Sequence, residues 1–264
     1  MPRTWLIFDC NYIAYRAYHT TSYIKQGVVY GFLRDVKAAI ERFNAKHYVF
    51  AWDAGRSLRE LVYPAYKAQR SPRPEGMSEQ ITELKMITLK DIGFRNVLWK
   101  AGYEADDIIA SLVHNRTPGD QIMVVTADAD MYQLLHNQVR LFNPRSKKIT
   151  TLQSFGKEYG ITPDLWPRVK AIAGCKSDNI TGVKKGLGEK TAISILAGHQ
   201  ESRDVRRAWK SVVLPNLALT KLPYPGTPVY PLQDDAYDPT KLKAAMAELG
   251  AEQRREREPL TRAS

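Results

Sequence analysis

Short apolar runs that end in acidic residues recur through the first half of the chain, and they constrain its fold more than any other feature. Trp5-Leu-Ile-Phe-Asp9 is the first and His47-Tyr-Val-Phe-Ala-Trp-Asp53 the second. Phe94 to Trp99 leads into Glu104-Ala-Asp-Asp107, and Gln121 to Thr126 is followed by Asp128 and Asp130. A fifth run, Val139 to Phe142, has no acid behind it. Each run has the length of a buried strand. Between them lie apolar residues at helical spacing, as in Val29, Phe32, Leu33, Val36 and Ile40, or Ile108, Ile109, Leu112 and Val113. Strands alternating with helices predict an α/β domain with a largely parallel sheet over the first 150 residues.

Open sheets of this kind bind ligands just beyond the C-terminal ends of their strands, the edge where these acids arrive. A single Asp there is ordinarily a turn residue or helix cap. Acids in a first helical turn also complement the helix dipole, and Glu104 and Asp107, three apart, share a face. Capping does not explain four separate arrivals at one edge. Crowded, poorly hydrated carboxylates must take up protons or hold a cation, and all-carboxylate ligation suits Mg2+ or Mn2+.

The chain as a whole is basic, with 39 Lys and Arg against 28 Asp and Glu and a net charge of +11. That excess points to a polyanionic partner, most simply nucleic acid. Composition is otherwise that of a soluble globular protein, with no apolar run of membrane-spanning length. The first residues run straight into a strand, so no secretory signal is expected. Cys10 and Cys175 fall in no CxxC pattern, which predicts a reduced, cytoplasmic chain without a zinc cluster.

Arg56, Arg59, Tyr63, Tyr66, Lys67, Arg70 and Arg73 form a basic stretch broken by Ser71-Pro-Arg-Pro-Glu-Gly76, and a helical pattern resumes from Glu79 to Asp91. Two readings stand: a solvated loop and helix, or an arch whose cations meet phosphates and whose tyrosines stack on bases. From 160 the character changes. Thr162, Pro163 and Asp164 open a helix that stops at Gly174. Gly182, Gly186 and Gly188, with Lys184, Lys185 and Lys190, then precede a second helix. Helix, glycine hairpin and helix together suit a sequence-independent grip on a duplex backbone. A helix is expected from 203 to about Val213, a proline-rich extended connection over 215–239, a short helix over 240–250, and a frayed Arg/Glu-rich tail after that.

These motifs resemble the flap endonuclease / 5′–3′ exonuclease family in its phage and bacterial branch. The resemblance rests on Ile7-Phe-Asp9, Ala51-Trp-Asp53, Tyr66-Lys-Ala-Gln-Arg70, Glu104-Ala-Asp-Asp107, Thr126-Ala-Asp-Ala-Asp130 and the run from Ser177 to Lys190. It covers about residues 5–200 in the expected order, and the last 60 residues match loosely. It implies a PIN-like nuclease domain over 1–158 with a helical arch over about 56–92. A helix-hairpin-helix-type domain would follow over 159–250, and a basic, disordered tail over 251–264. The implied reaction is metal-dependent hydrolysis of a phosphodiester near a 5′ end, at DNA flaps, nicks or junctions, with RNA–DNA hybrids such as replication primers as further substrates.

The resemblance further implies two Mg2+ or Mn2+ ions held by Asp9, Asp53, Glu104, Asp106, Asp107, Asp128, Asp130 and Asp178. Lys67 and Arg70 would contact the scissile phosphate beside Tyr66 and Arg73. Backbone carbonyls at Val183, Gly186 and Gly188 would hold a K+ ion that touches DNA. A monomer in a bacterial or phage-infected cell is implied. The chain departs from the family pattern at Cys175, where an acid belonging to the second metal is expected. A thiol is a poor ligand for Mg2+, though a softer ion accepts it. Two alternatives follow: a DNA-structure-binding paralogue with impaired cleavage, and a PIN-like ribonuclease, against which the hairpin argues.

Overall fold

The computed structural model describes residues 2–21 and 23–257. Its centre is a six-stranded sheet of order β3-β2-β1-β4-β5-β6. The strands are β1 (Thr4–Asp9), β2 (His47–Ala51), β3 (Val97–Leu98), β4 (Gln121–Val125), β5 (Val139–Phe142) and β6 (Ile149–Thr150). All neighbours pair parallel except β5 with β6. Side chains alternate between two cores, as the two-residue period of a strand requires. Leu6, Phe8, Tyr48 and Phe50 join one core, and Trp5, Ile7, Val49 and Ala51 the other. The first core is covered by the helices Cys10–Thr21 and Gly27–Phe43 and by the final helix Pro239–Arg257. Both faces are therefore apolar, which is why the strands read as continuous hydrophobic runs.

The second core crosses the expected domain boundary at 158/159. Ile108 and Met131 share it with Phe155, Trp166, Val169 and Ile172. Beyond it, the helix Trp166–Ala173 leads into the hairpin β7 (Gly174–Cys175) and β8 (Ile180–Thr181), followed by the helix Glu189–Leu196. Two glycines allow the hairpin to lie against the preceding helix. A Cβ on Gly182 would stand 2.3 Å from the Ala173 carbonyl oxygen, and one on Gly174 would stand 2.5 Å from the Gly182 nitrogen. This close seating fixes Cys175 and Asp178 relative to the sheet.

Several expectations are corrected. The helical arch expected over about 56–92 is helical at its two ends and not between them. It has one turn of helix at Arg59–Val62, a non-helical strap over 63–76, and a helical run over 77–91. Pro64, Pro72 and Pro74 remove amide donors along the strap, so a helix cannot propagate through it. The third strand candidate shrinks to two residues because the return segment bonds beside it: Ala236 N–H donates to the Gly93 carbonyl at 2.9 Å and Gln233 N–H to Asn96 Oδ1 at 2.8 Å. The helical run after 203 continues past Val213 to Thr220 through a widened turn at Trp209–Val213. Pro215 falls in the first turn after it, a place that tolerates a missing N–H. The last helix extends to Arg257, so the tail is helical to that point, and residues 258–264 lie outside the described residues. Among the described residues no helix is long and apolar enough to cross a membrane.

Arg59 ties these parts together. It is 1% exposed and makes a two-pronged pair with Asp107, both bonds 2.7 Å. Its Nε donates to the Leu219 carbonyl at 2.8 Å, and its guanidinium lies 4.8 Å from the centre of the Tyr224 ring. One side chain thus joins the root of the strap, the helix Ala105–His114 and the C-terminal return. Removing one partner of a buried pair leaves the other charge unmatched, so Arg59→Met should destabilise the fold by about 3–5 kcal/mol. Arg56→Ala, which breaks an exposed pair with Glu60, should cost at most about 1 kcal/mol. Denaturant melts of the two variants check this, and equal midpoints would remove Arg59 from its structural role.

Candidate active site

The C-terminal ends of β1, β2 and β4 deliver Asp9, Asp53 and the pair Asp128 and Asp130 to one hollow. Asp9 is buried and accepts hydrogen bonds from Thr126 Oγ1 at 2.8 Å and Tyr12 N–H at 3.2 Å. Asp53 accepts from Asn11 Nδ2 at 2.7 Å and from the Ala105 N–H at 2.8 Å. That second bond places the start of the Ala105–His114 helix, and with it Glu104 and Asp106, beside the strand ends. Asp128 accepts from the Asp130 N–H at 2.8 Å.

The electrostatics show how crowded the hollow is. Burial pushes Asp9 up to about 7, with Asp53 and Asp128 adding repulsion. Asp106 is pushed well above the carboxylate range by burial, then by Asp128 and Asp9. Asp130 rises to about 6, by burial and then Asp128. Burial and the neighbouring Asp178 carry the Cys175 thiol up to about 11.

The strap supplies cations. Lys67 bonds Glu104 and stands 3.9 Å from Asp178, while Arg70 Nη2 donates to Asp178 Oδ1 at 2.9 Å. Lys67 has a left-handed backbone, φ 54°, a strained state for a residue with a side chain. Its N–H donates to the Asp178 carbonyl at 2.9 Å, and Asn179 Nδ2 donates to the Ala65 carbonyl at 2.8 Å. The strap is therefore pinned across the hollow onto the segment between β7 and β8.

The structure brings together Asp9, Asp53, Glu104, Asp106, Asp128, Asp130, Asp178, Cys175, Lys67 and Arg70. It corrects two assignments. Asp107 is fully buried with both carboxylate oxygens on Arg59, so it anchors the fold and offers no oxygen to the hollow. Tyr66 is 4% exposed and donates its hydroxyl to Glu104 at 2.9 Å, so its ring is not a stacking platform for bases. Arg73, Lys184, Lys185 and Lys190 are exposed, and Lys184 pairs with Asp204 at 3.0 Å. Gly182, Gly186, Gly188 and Lys185 line a groove of about 620 Å³ that also reaches Gln69 and Cys175.

Sequence reasoning misses three contributors. Asn11 orients Asp53, Thr126 orients Asp9, and Lys170 stands 3.0 Å from Asp130 and 2.9 Å from Glu189. Asn11 and Thr126 directly flank the strand ends, which is a usable signal. Lys170 has none, since it reads as one more helix cation. Among the described residues, only Asp130, Cys175 and Asp178 offer three ligand atoms within 4.8 Å of one another. Asp130 Oδ1 there is buried and accepts no well-directed hydrogen bond. A buried carboxylate oxygen beside two further donors, already facing the Lys170 ammonium, fits a cation.

A mostly parallel sheet with carboxylates gathered at one edge, under a cationic strap, defines a PIN-like nuclease fold. The family model described as "5′–3′ exonuclease, N-terminal resolvase-like domain" matches residues 4–160. A 5′–3′ exonuclease of Aquifex aeolicus is 32% identical over 216 residues, 79% of this chain and 74% of that protein. Thermostable DNA polymerase I of Thermus thermophilus is 34% identical over 199 residues, 72% of this chain but 23% of the polymerase. The chain thus spans about a quarter of the polymerase relatives it matches. The flap endonuclease of bacteriophage T5, solved as a pseudo-enzyme–product complex with DNA and metal ions, superposes with a TM-score of 0.68 at 20% identity, over 96% of this chain and 100% of that one. At that identity the likeness is one of fold. The chain belongs to the 5′–3′ exonuclease family.

A carboxyl group raised by folding favours the folded state while protonated, and that benefit is lost as pH climbs from the unfolded value, near 4, through the folded one. For Asp9 the window closes near pH 7 and for Asp130 near pH 6. The metal-free protein should therefore melt at a lower temperature at pH 8 than at pH 6. Mg2+ should restore more stability at pH 8, where it meets fewer protons. Thermal melts in chelator and in Mg2+ check this, and a metal-free melting temperature that rises from pH 6 to 8 would contradict it.

Proposed function

We propose that the protein is a metal-dependent, structure-selective 5′-nuclease, a phosphodiester hydrolase acting near the 5′ ends of flapped or nicked DNA. The observation that carries this reading is the convergence of Asp9, Asp53, Asp106, Asp128, Asp130 and Asp178 under Lys67 and Arg70. With Glu104, these carboxylates would hold the divalent cations, and Asp107 drops out. Asp9, Asp53, Asp106 and Asp128 suit Mg2+ or Mn2+, whereas Cys175 beside Asp130 and Asp178 makes the second position a poorer one for Mg2+. Such ions would supply positive charge to the phosphate and ease deprotonation of a water.

The chain's own residues do the rest. Asn11 and Thr126 hold Asp53 and Asp9 in fixed orientations. Lys67 and Arg70 exchange their carboxylate partners for phosphate oxygens and offset charge that develops during cleavage. The glycine groove and its lysines hold the duplex by its backbone, with a K+ ion at the carbonyls of Val183, Gly186 and Gly188. RNA–DNA hybrids fit the same backbone grip. In this reading the protein acts as a monomer. A second reading, a structure-binding protein with slow cleavage, is favoured by the thiol of Cys175 among the acids.

Incubation with a 5′-flap DNA and Mg2+ or Mn2+ tests both. Asp128→Asn should lower cleavage by about a hundredfold or more without loss of flap binding, and equal cleavage by both proteins would contradict the nuclease reading. Flap binding should weaken steeply with salt, as phosphate contacts require. If Cys175→Asp raises Mg2+-supported turnover at unchanged DNA affinity, the slow-cleavage reading gains. Brisk wild-type turnover ends it.

A further inference from the structure

We infer that Asp130, Cys175 and Asp178 form a mixed carboxylate–thiolate site that takes a borderline or soft divalent ion, of the Zn2+, Co2+ or Cd2+ class, in preference to Mg2+. Three observations carry this beyond the presence of a cysteine. First, the three ligand atoms lie within 4.8 Å of one another before any ion arrives, and no other such grouping occurs among the described residues. The acids nearer β1 and β2 are more widely spread. Second, Asp130 Oδ1 is buried and already draws a cation, the Lys170 ammonium 3.0 Å away, against the repulsion of Asp128 and Asp178. Third, Cys175 Sγ turns toward its fellow ligands, 3.5 Å from Asp178 Oδ2 and 3.0 Å from Ser177 Oγ.

The geometry suits the chemistry. Arg70 holds the other Asp178 oxygen, Oδ1, so the oxygen facing the sulfur is open to an ion while the strap stays in place. A tetrahedral centre with M–S of about 2.3 Å and M–O of about 2.0–2.2 Å sets ligand atoms about 3.5 Å apart. Side-chain rotation closes the difference, because Gly174 and Gly182 already lock the hairpin against its helix. On binding, the thiol proton leaves to solvent and the sulfur coordinates as thiolate. Two carboxylates and one thiolate exceed a divalent charge by one, and Lys170 offsets it. Mg2+ demands hard oxygen ligands and near-ideal octahedral geometry, which a sulfur in this position denies it. Ligand softness therefore sets the preference.

The site's biological use rests on the nuclease reading, but whether the ion binds does not. The test is a titration of Co2+ into the full chain, followed by absorption. A sulfur-to-cobalt charge-transfer band in the near ultraviolet should saturate at one equivalent, and should be missing from Cys175→Ser and Cys175→Asp. In competition titrations, Cys175→Asp should bind Cd2+ roughly tenfold or more weaker than wild type while binding Mg2+ tighter. A wild type without the band overturns the inference, as does a band that survives in Cys175→Ser or a Cd2+ preference unchanged in Cys175→Asp. Should a variant fail to fold, the wild-type spectrum and its Cd2+ over Mg2+ preference decide alone. Flap DNA left uncut by a protein that shows the band would sink the nuclease reading and keep the site. Brisk Mg2+-supported cleavage by a protein lacking the band would do the reverse.

Discussion

Carboxylates that cannot all remain charged in one poorly hydrated hollow set the terms for the rest of this structure. Their repulsion shows in Asp9, Asp106 and Asp130, each raised by burial and then by acidic neighbours. Something positive must stand among them. In the structure it is the chain's own cations: Lys67 on Glu104, Arg70 on Asp178 and Lys170 on Asp130. Each is placed where an external cation or a phosphate would compete with it.

This arrangement explains why the strap is pinned rather than free. Residues 63–76 contain too many prolines to support themselves as a helix. They gain order by bonding to the segment between β7 and β8, through Lys67 to Asp178 and Asn179 to Ala65. Arg59 and Asp107 secure the strap's root away from solvent, and Arg59 also reaches Glu104 of the hollow at 3.3 Å. The anchoring pair and the working acids are close in sequence but separate in role. Glu104 and Asp106 face the hollow's cations and acids, while Asp107, one residue on, faces the core.

Much of the fold is legible in the sequence, and the reason is simple. Strands buried on both faces read as apolar runs, so β1, β2, β4 and β5 stand out, and the acids that follow β1, β2 and β4 mark the edge where the hollow lies. The Thr162 to Gly174 helix and the glycine hairpin carry equally local signals. What the sequence hides is which of several adjacent like residues turns inward. Nothing in Glu104-Ala-Asp-Asp107 says that Asp107 gives both its oxygens to a buried arginine, and nothing in the basic stretch singles out Arg59. The break at Ser71 to Gly76 is readable from its prolines, but nothing local marks that the non-helical strap begins as early as Tyr63. Lys170 was invisible because its importance comes from a contact 40 residues away in sequence, with Asp130.

The central claim is that these acids exist to hold divalent cations, with the internal lysines and arginine as stand-ins. Anomalous diffraction from crystals soaked in Mn2+ addresses it without reference to activity. The account predicts anomalous peaks between Asp9, Asp53, Asp106 and Asp128, and Lys67 withdrawn from Glu104. A hollow with no anomalous peak at saturating Mn2+, its carboxylates still paired to Lys67, Arg70 and Lys170, would contradict it.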